Sequence, residues 1–280
     1  MAWFTRSSRF TLMAVALTLG LAVSLPAGVQ AQLGASSLSS QIPNQWDFSP
    51  PSNPTGEPVP GNRESGGRRG DCIADPDPDI QPIALVPLTI GTTVAEYPTV
   101  FWYMPKTRAW GVEFVVRDSK DQEVYSTKYA FGHYSEKTGD GNTDEFVIGA
   151  PGIMSLKLPS PSGFPALKVG EDYHWQLRLI CDRSGTDKDR SNDFYIDGAL
   201  KRVQASPSLT RRLQQATPEQ RVAIYANDRL WYETLETLVQ LRRQRPDDKN
   251  LTDAWNKLLK SAGIDTLTQE PLFGDARIVN

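Results

Sequence analysis

Histidine and cysteine each occur only twice in the 280 residues, and methionine four times. So small a supply of imidazole and thiolate leaves nothing at metal-ligand spacing. His133 falls in a polar stretch, His174 points outward from an alternating run, and neither has a His-Glu-x-x-His partner. A Gly-x-Ser-x-Gly elbow, a Gly-rich phosphate loop with Lys and a Cys-x-x-Cys pair are also missing. No cofactor is expected, and no catalytic motif is recognisable. A basic excess is lacking too: the formal net charge is -3, which offers no field for nucleic acid or anionic lipid. Beyond residue 31, no apolar run approaches the roughly 20 residues needed to cross a bilayer.

What is present begins with an export signal. Arg6 and Arg9 make a positive start, Phe10 to Leu25 is apolar and uncharged, and Val29-Gln30-Ala31 supplies small residues for cleavage. Residues 1–31 are therefore expected to be removed near Ala31. The cut takes two of the 30 basic residues and none of the 33 acidic ones, moving the net charge from -3 to about -5. The expected location is periplasmic or secreted.

In an oxidising compartment an even cysteine count suggests pairing, and two cysteines allow one connectivity, Cys72 to Cys181. In the chain-entropy model a closed loop of roughly 100 residues is worth about 4.7 kcal/mol. Residues 32–79 read as a disordered linker. Pro43, Pro50, Pro51, Pro54, Pro58 and Pro60 crowd it, with Trp46 and Phe48 its only aromatic anchors.

From Ile83 the chain changes to short alternating runs. Trp110, Val112, Phe114 and Val116 share one face while Glu113 and Arg117 take the other; Met154, Leu156 and Leu158 alternate with Ser155 and Lys157. Runs near 82–90, 94–104, 110–118, 122–130, 145–158, 172–181 and 192–203 give about seven strands, parted by Gly, Pro, Asp and Ser. The expectation for residues 80–204 is an antiparallel immunoglobulin- or fibronectin-like β-sandwich. Leu167, Gly170 and Tyr173, followed by Trp175, Leu177, Leu179 and Cys181, fit a tyrosine corner entering a core strand. A Cys72–Cys181 bridge would then fasten the entry arm to that strand's far end.

After Val203 the period becomes helical. Thr217-Pro218-Glu219-Gln220 carries an N-cap, a proline at the first helical position and a capping-box glutamine. Trp231, Leu235, Leu238 and Val239 recur on one face, as do Leu251, Trp255, Leu258, Leu259 and Ala262 before Gly263. Residues 205–280 are thus expected to form a helical annex packed on the sandwich, giving a mainly β fold with C-terminal helices.

Several stretches occur together in an order that carries a family likeness: RRGDC at 68–72, VAEYPTVFWYMP at 94–105, EFVVRD at 113–118, APGIMSLKLP at 150–159, VGEDYHWQLRLICD at 169–182 and LWYETLETLVQLRR at 230–243. Over about residues 68–272 the chain resembles a cyanobacterial family catalogued as domain of unknown function 928. The resemblance implies an exported protein and brings no activity or site residues with it. The polar insert Gly132 to Asp144 is longer than the resemblance leads one to expect.

Three acidic loop clusters have the oxygen supply calcium needs: Asp75, Asp77 and Asp79; Asp140, Asn142 and Asp144; Asp187, Asp189 and Asp193. The middle one starts like an EF-hand loop but has Glu145 and Pro151 where that loop needs Gly and Glu, so solvated turns are the favoured reading of all three. Arg69-Gly70-Asp71 matches an integrin tripeptide, a match short enough to arise by chance. Phe101, Trp102 and Tyr103 are consecutive, so a strand there shows aromatic area on both faces. That area forms either a binding surface or a seat for the helices bearing Trp231 and Trp255.

These observations lead to a non-catalytic extracytoplasmic binding or accessory module of the bacterial cell envelope. Its partner is expected to be an envelope or secreted protein, with no nucleic acid and no membrane span once the signal is removed. The alternative is a carbohydrate-binding or carboxylate-dependent carbohydrate-active protein, since two well-placed acids suffice for glycoside hydrolysis.

Overall fold

The computed structural model describes residues 42–43, 46–48, 63–64, 72–75, 77, 79–139, 141–159, 165–182, 190 and 193–275. The export signal, most of the arm, Arg69-Gly70-Asp71, Asp140, Asp187 and Asp189 lie outside the described residues.

Eleven strands and four helices follow one another along the described chain. The strands are β1 (Ile83–Ala84), β2 (Gly91–Thr93), β3 (Thr99–Met104), β4 (Gly111–Asp118), β5 (Glu123–Ala130), β6 (His133–Lys137), β7 (Thr143–Val147), β8 (Gly152–Lys157), β9 (Asp172–Ile180), β10 (Phe194–Arg202) and β11 (Leu272–Asp275). The helices are α1 (Pro207–Gln215), α2 (Pro218–Asn227), α3 (Trp231–Gln244) and α4 (Lys249–Ser261). The strands form a four-stranded sheet in the order β1-β3-β8-β11, a five-stranded sheet β2-β10-β9-β4-β5, and the hairpin β6-β7. The fold is mainly β with C-terminal helices.

Alternation explains the five-stranded sheet. Val112, Phe114 and Val116 of β4 stand opposite Leu179, Leu177 and Trp175 of β9, and all six are buried in the core. On the other face Glu113 stands opposite Arg178. Gly198 of β10 lies beneath the Trp175 ring, and a Cβ there would sit 2.2 Å from the indole. The Tyr173 hydroxyl accepts the Lys168 backbone N–H at 2.9 Å, and Gly170 takes the positive φ of +85° that this corner turns on.

All six residues of β3 are buried, because both of its faces are covered. Val100, Trp102 and Met104 face one way; Thr99, Phe101 and Tyr103 face the other, beside Lys157, Ser155 and Ile153 of β8. Helix α3 lies over the second face. Thr99 Oγ1 donates to Glu236 Oε1 at 2.9 Å, and Arg243 donates to Ser155 Oγ at 3.4 Å. The helix is tied down at its start as well: Trp231 Nε1 donates to Leu85 O at 3.0 Å and the Tyr232 hydroxyl to Ala199 O at 3.1 Å. Each large apolar side chain buried along this seam contributes about 1.5–3 kcal/mol.

The helix signals read from sequence hold. Thr217 and Gln220 form the reciprocal capping box of α2, and Gly263, with φ +65°, follows the end of α4. Helix α1, capped by Ser206, is an additional element.

Other expectations are corrected. The sheets are mixed rather than antiparallel: β2 runs parallel to β10 and β11 parallel to β8. Both parallel partners are edge strands, brought there by long connections, as parallel pairing requires. The single run 145–158 is two strands, β7 and β8, separated by a turn containing the cis Ala150–Pro151 bond. Most of the polar insert 132–144 forms β6 and the start of β7, a hairpin whose β6 is largely exposed and therefore shows no apolar alternation. Of the arm, most of which lies outside the described residues, Ile42, Trp46 and Phe48 are buried, Phe48 meets the Trp231 ring edge-on at 5.0 Å, and Arg63 donates to Ala262 O at 2.7 Å and Gly263 O at 3.0 Å.

Candidate functional site

Cys72 and Cys181 are joined in a disulfide with their Cα atoms 5.4 Å apart, across 109 positions of sequence. The bridge flanks a short segment leading into β4. Arg108 N donates to Cys72 O at 2.8 Å, and Trp110 N donates to Ile180 O, next to Cys181, at 2.8 Å. Phe131 N closes on Trp110 O at 3.0 Å. Trp110 thus has both backbone groups bonded, yet its residue is 48% exposed. Its ring stacks on His133 at 6.2 Å, and His133 Nε2 is hydrogen-bonded to Ala109 O at 2.8 Å.

Two further apolar side chains are exposed at the base of the β6-β7 hairpin, Ile148 at 61% and Phe273 at 38%. Ile148 N donates to Gly132 O at 2.9 Å, and a Cβ on Gly149 would lie 3.3 Å from the Phe273 ring. The hairpin is held on the body by charge and aromatic contacts. Lys106 Nζ sits 4.1 Å from the centre of the Phe146 ring and 2.8 Å from Glu136, and Arg108 reaches Asp144 at 2.5 Å. Such cation–ring contacts are worth about 0.5–1 kcal/mol at exposed sites.

The residues singled out from sequence are placed as follows. Phe101, Trp102 and Tyr103 are buried and offer no binding surface, because the core takes one face of β3 and α3 the other. Burial, reinforced by Glu270 and Asp75, pushes the Tyr103 hydroxyl well above its usual range. Asp144 of the calcium candidates is engaged by Arg108, and the backbone carbonyl of Asn142 accepts from Thr138 N at 2.9 Å in the hairpin turn. Asp75 and Asp77 cap turns, accepting the N–H groups of Asp77 and Asp79 at 3.1 and 3.0 Å. Asp193 is paired with buried Arg178 at 2.5 Å. His174 lines a shallow cleft on the outer face of the five-stranded sheet with Arg117, Gln176 and Asp197.

A second concavity, a cleft of about 320 Å³, lies between α2 and α3. Arg221 and Tyr225 come from α2; Glu233, Glu236, Gln240 and Gln244 come from α3. Glu233 is buried, and its Oε1 accepts from Thr93 Oγ1 at 2.6 Å, Val94 N at 2.9 Å and Ala95 N at 3.0 Å. Its Oε2 is buried without a hydrogen-bond partner among the described residues. Burial raises the Glu233 carboxyl above its ordinary value, outweighing those donors. Tyr225 is raised as well, by burial first and then by Glu233. No sequence signal marks Glu233: it lies about 200° around the helix from Trp231, on the side that periodicity assigns to solvent, and its donors come from Thr93 at the end of β2 and from Val94 and Ala95 just beyond.

Among the described residues, no helix is long and apolar enough to cross a membrane. A family model described as Domain of Unknown Function (DUF928) matches residues 64–272, more than half of the chain. No curated protein matches it.

Proposed function

The chain belongs to the family described as Domain of Unknown Function (DUF928), and from that premise we propose a non-catalytic binding or accessory module of the cell envelope that holds a protein partner on its Trp110–Ile148 surface. The single observation that carries this reading is the exposure of Trp110 on a segment whose backbone is fixed between the two cysteines. An exposed tryptophan on a rigid support is the kind of side chain that dominates protein interfaces. Holding it in place before binding reduces the ordering cost of association. Ile148, bonded through its N–H to Gly132 O beside His133, and Phe273, next to Gly149, are two further exposed apolar side chains on neighbouring segments.

Export is supported by the leader-like first 31 residues and by the disulfide, which persists in oxidising compartments. The domain reading remains an export signal at 1–31, an arm at 32–79, a β body at 80–204 and a helical annex at 205–280. An immunoglobulin- or fibronectin-like sandwich is supported by the sheet orders β1-β3-β8 and β2-β10-β9-β4-β5 and by the Tyr173 corner.

A photo-crosslinking residue at Ile148, in the exported full chain within its native cells, tests the proposal. One discrete protein adduct, lost when Trp110→Ala is added, is the expected result. No adduct, or one indifferent to Trp110→Ala, overturns it.

The carbohydrate reading draws on a different observation, two carboxylates in one cleft with Glu233 raised and Glu236 held by Thr99 and Lys157. Glycan turnover abolished by Glu236→Gln would favour it over the binding module.

A further inference from the structure

Strand β5 closes one side of the five-stranded sheet, with β4 its only neighbour there. The phase of that pairing is set at its end, where Phe131 N donates to Trp110 O at 3.0 Å beside the Gly111–Ala130 pair, and the Tyr129 carbonyl faces β4, 2.2 Å from where a Cβ on Gly111 would stand. Hydrogen-bonded pairs alternate in an antiparallel ladder, so Tyr125, Thr127 and Tyr129 turn their main-chain groups toward β4. Ser126, Lys128 and Ala130 turn theirs outward. All three are exposed, and no other segment of the described residues hydrogen-bonds to the main chain of Ser126 or Ala130. The Lys128 side chain, which would otherwise guard the edge, leans back over β4 with its Nζ 3.6 Å from Glu113. An edge left open in this way is a template for a further strand.

We propose that β5 is a self-association surface, on which a second copy of this chain lays its own β5 antiparallel about Thr127 and joins the two five-stranded sheets into one. Phase and charge choose this register. Two-fold pairing must set outward-turned residues opposite one another and each residue on the same side of the sheet as its partner. A centre at Lys128 opposes two lysines, one at Ser126 or Tyr125 makes Val124 a central partner, and one at Tyr129 runs past the end of β5. Val124 is unsuited, because the register shift beside Val116 takes it out of the regular ladder. With Thr127 on the axis, Ser126 stands opposite Lys128 of the other copy, and no like charges face each other. Tyr125 then lies beside Tyr129 of the other copy, which carries the aromatic side of the edge across the junction. The surface does not include Trp110, so this proposal and the reading above can fail separately.

The test follows the full chain by sedimentation velocity over a range of micromolar concentrations, with two variants. Ser126→Pro removes an N–H that points away from β4, so the fold keeps its own ladder while the added strand loses a bond and meets the proline ring. Thr127→Cys places a thiol on the axis, where opposed Cα atoms of a pair of this kind lie about 4.5 Å apart, within the span of a disulfide. The expected result is a concentration-dependent dimer, weakened by about tenfold or more by Ser126→Pro. Thr127→Cys should yield a covalent dimer on mild oxidation, and adding Ser126→Pro should prevent it. A monomer at every concentration, dimerisation unchanged by Ser126→Pro, or no covalent dimer from Thr127→Cys would each overturn the proposal. If Ser126→Pro does not fold, Thr127→Cys in the otherwise unmodified chain decides alone.

Discussion

Arg178 donates to Asp193 across 2.5 Å inside the protein, and the other oxygen of the same carboxylate accepts the backbone N–H of Cys181 at 3.1 Å. Glu113 takes the guanidinium Nε at 2.8 Å. One buried cation therefore ties together Asp193 just before β10, Glu113 of β4 and the cysteine that follows β9. Removing one partner leaves charge buried without its counterpart. Asp193→Ala is expected to lower unfolding free energy by about 3–5 kcal/mol. The double variant Arg178→Met with Asp193→Ala should cost less than the sum of the two single changes. Urea denaturation of the four proteins measures both effects.

The Cys72–Cys181 bridge closes a loop of 109 positions. Replacing both cysteines by serine is expected to cost about 2–5 kcal/mol in the same assay. Because the bridge flanks the Trp110 segment, the variant should also weaken the Ile148 crosslink under conditions where it remains folded. Non-reduced chain treated with an alkylating thiol reagent should carry no label on either cysteine.

Tyr173→Phe removes the acceptor of the Lys168 N–H while keeping the buried ring. A loss of about 1 kcal/mol is expected, the usual net worth of one hydrogen bond. Thermal melts of the two proteins test it; an unchanged Tm would mean that the corner is held by packing alone.

Phe48 lies edge-on against Trp231, far from it in sequence. Phe48→Ala should destabilise by about 3 kcal/mol if the cavity does not collapse. Hydrogen exchange should localise the loss to the first turn of α3. A fully mobile linker would give no change at all.

The Glu233 carboxyl is raised in the folded chain. Its folded form therefore holds the proton more tightly than its unfolded form, and the stability it contributes is complete below the unfolded value near 4.5. That contribution is lost as pH rises through the raised folded value. Urea midpoints of the wild type should consequently fall with rising pH more steeply than those of Glu233→Gln. The comparison of slopes isolates Glu233, because Glu270, also raised, titrates in both proteins.

Much of this architecture is legible because each element answers a local pattern. β4 and β9 alternate cleanly, since one face meets the core and the other meets charge, and the Thr217 box and Gly263 mark helix ends by their own chemistry. The hidden parts arise from contacts distant in sequence. Phe48 sits among prolines and joins the core against Trp231 of α3, nearly two hundred residues later. Glu233 lies on the polar arc of its helix and takes its donors from the end of β2 and just beyond. Phe101, Trp102 and Tyr103 show the reverse: the pattern announces two apolar faces, and only the position of Glu236 and Arg243 over Thr99 and Ser155 says what covers the second.

β11 is the last strand of the described chain, yet it pairs with β8, more than a hundred positions earlier. The four-stranded sheet therefore lacks its outer member until residue 275 is free to reach it. A polypeptide threaded N-terminus first through a narrow pore would arrive on the far side with that sheet unfinished and the β8 edge uncovered. Completion of the sheet waits until the C-terminal strand reaches β8. A truncation that stops after α4 would leave the β8 edge permanently able to recruit a foreign strand.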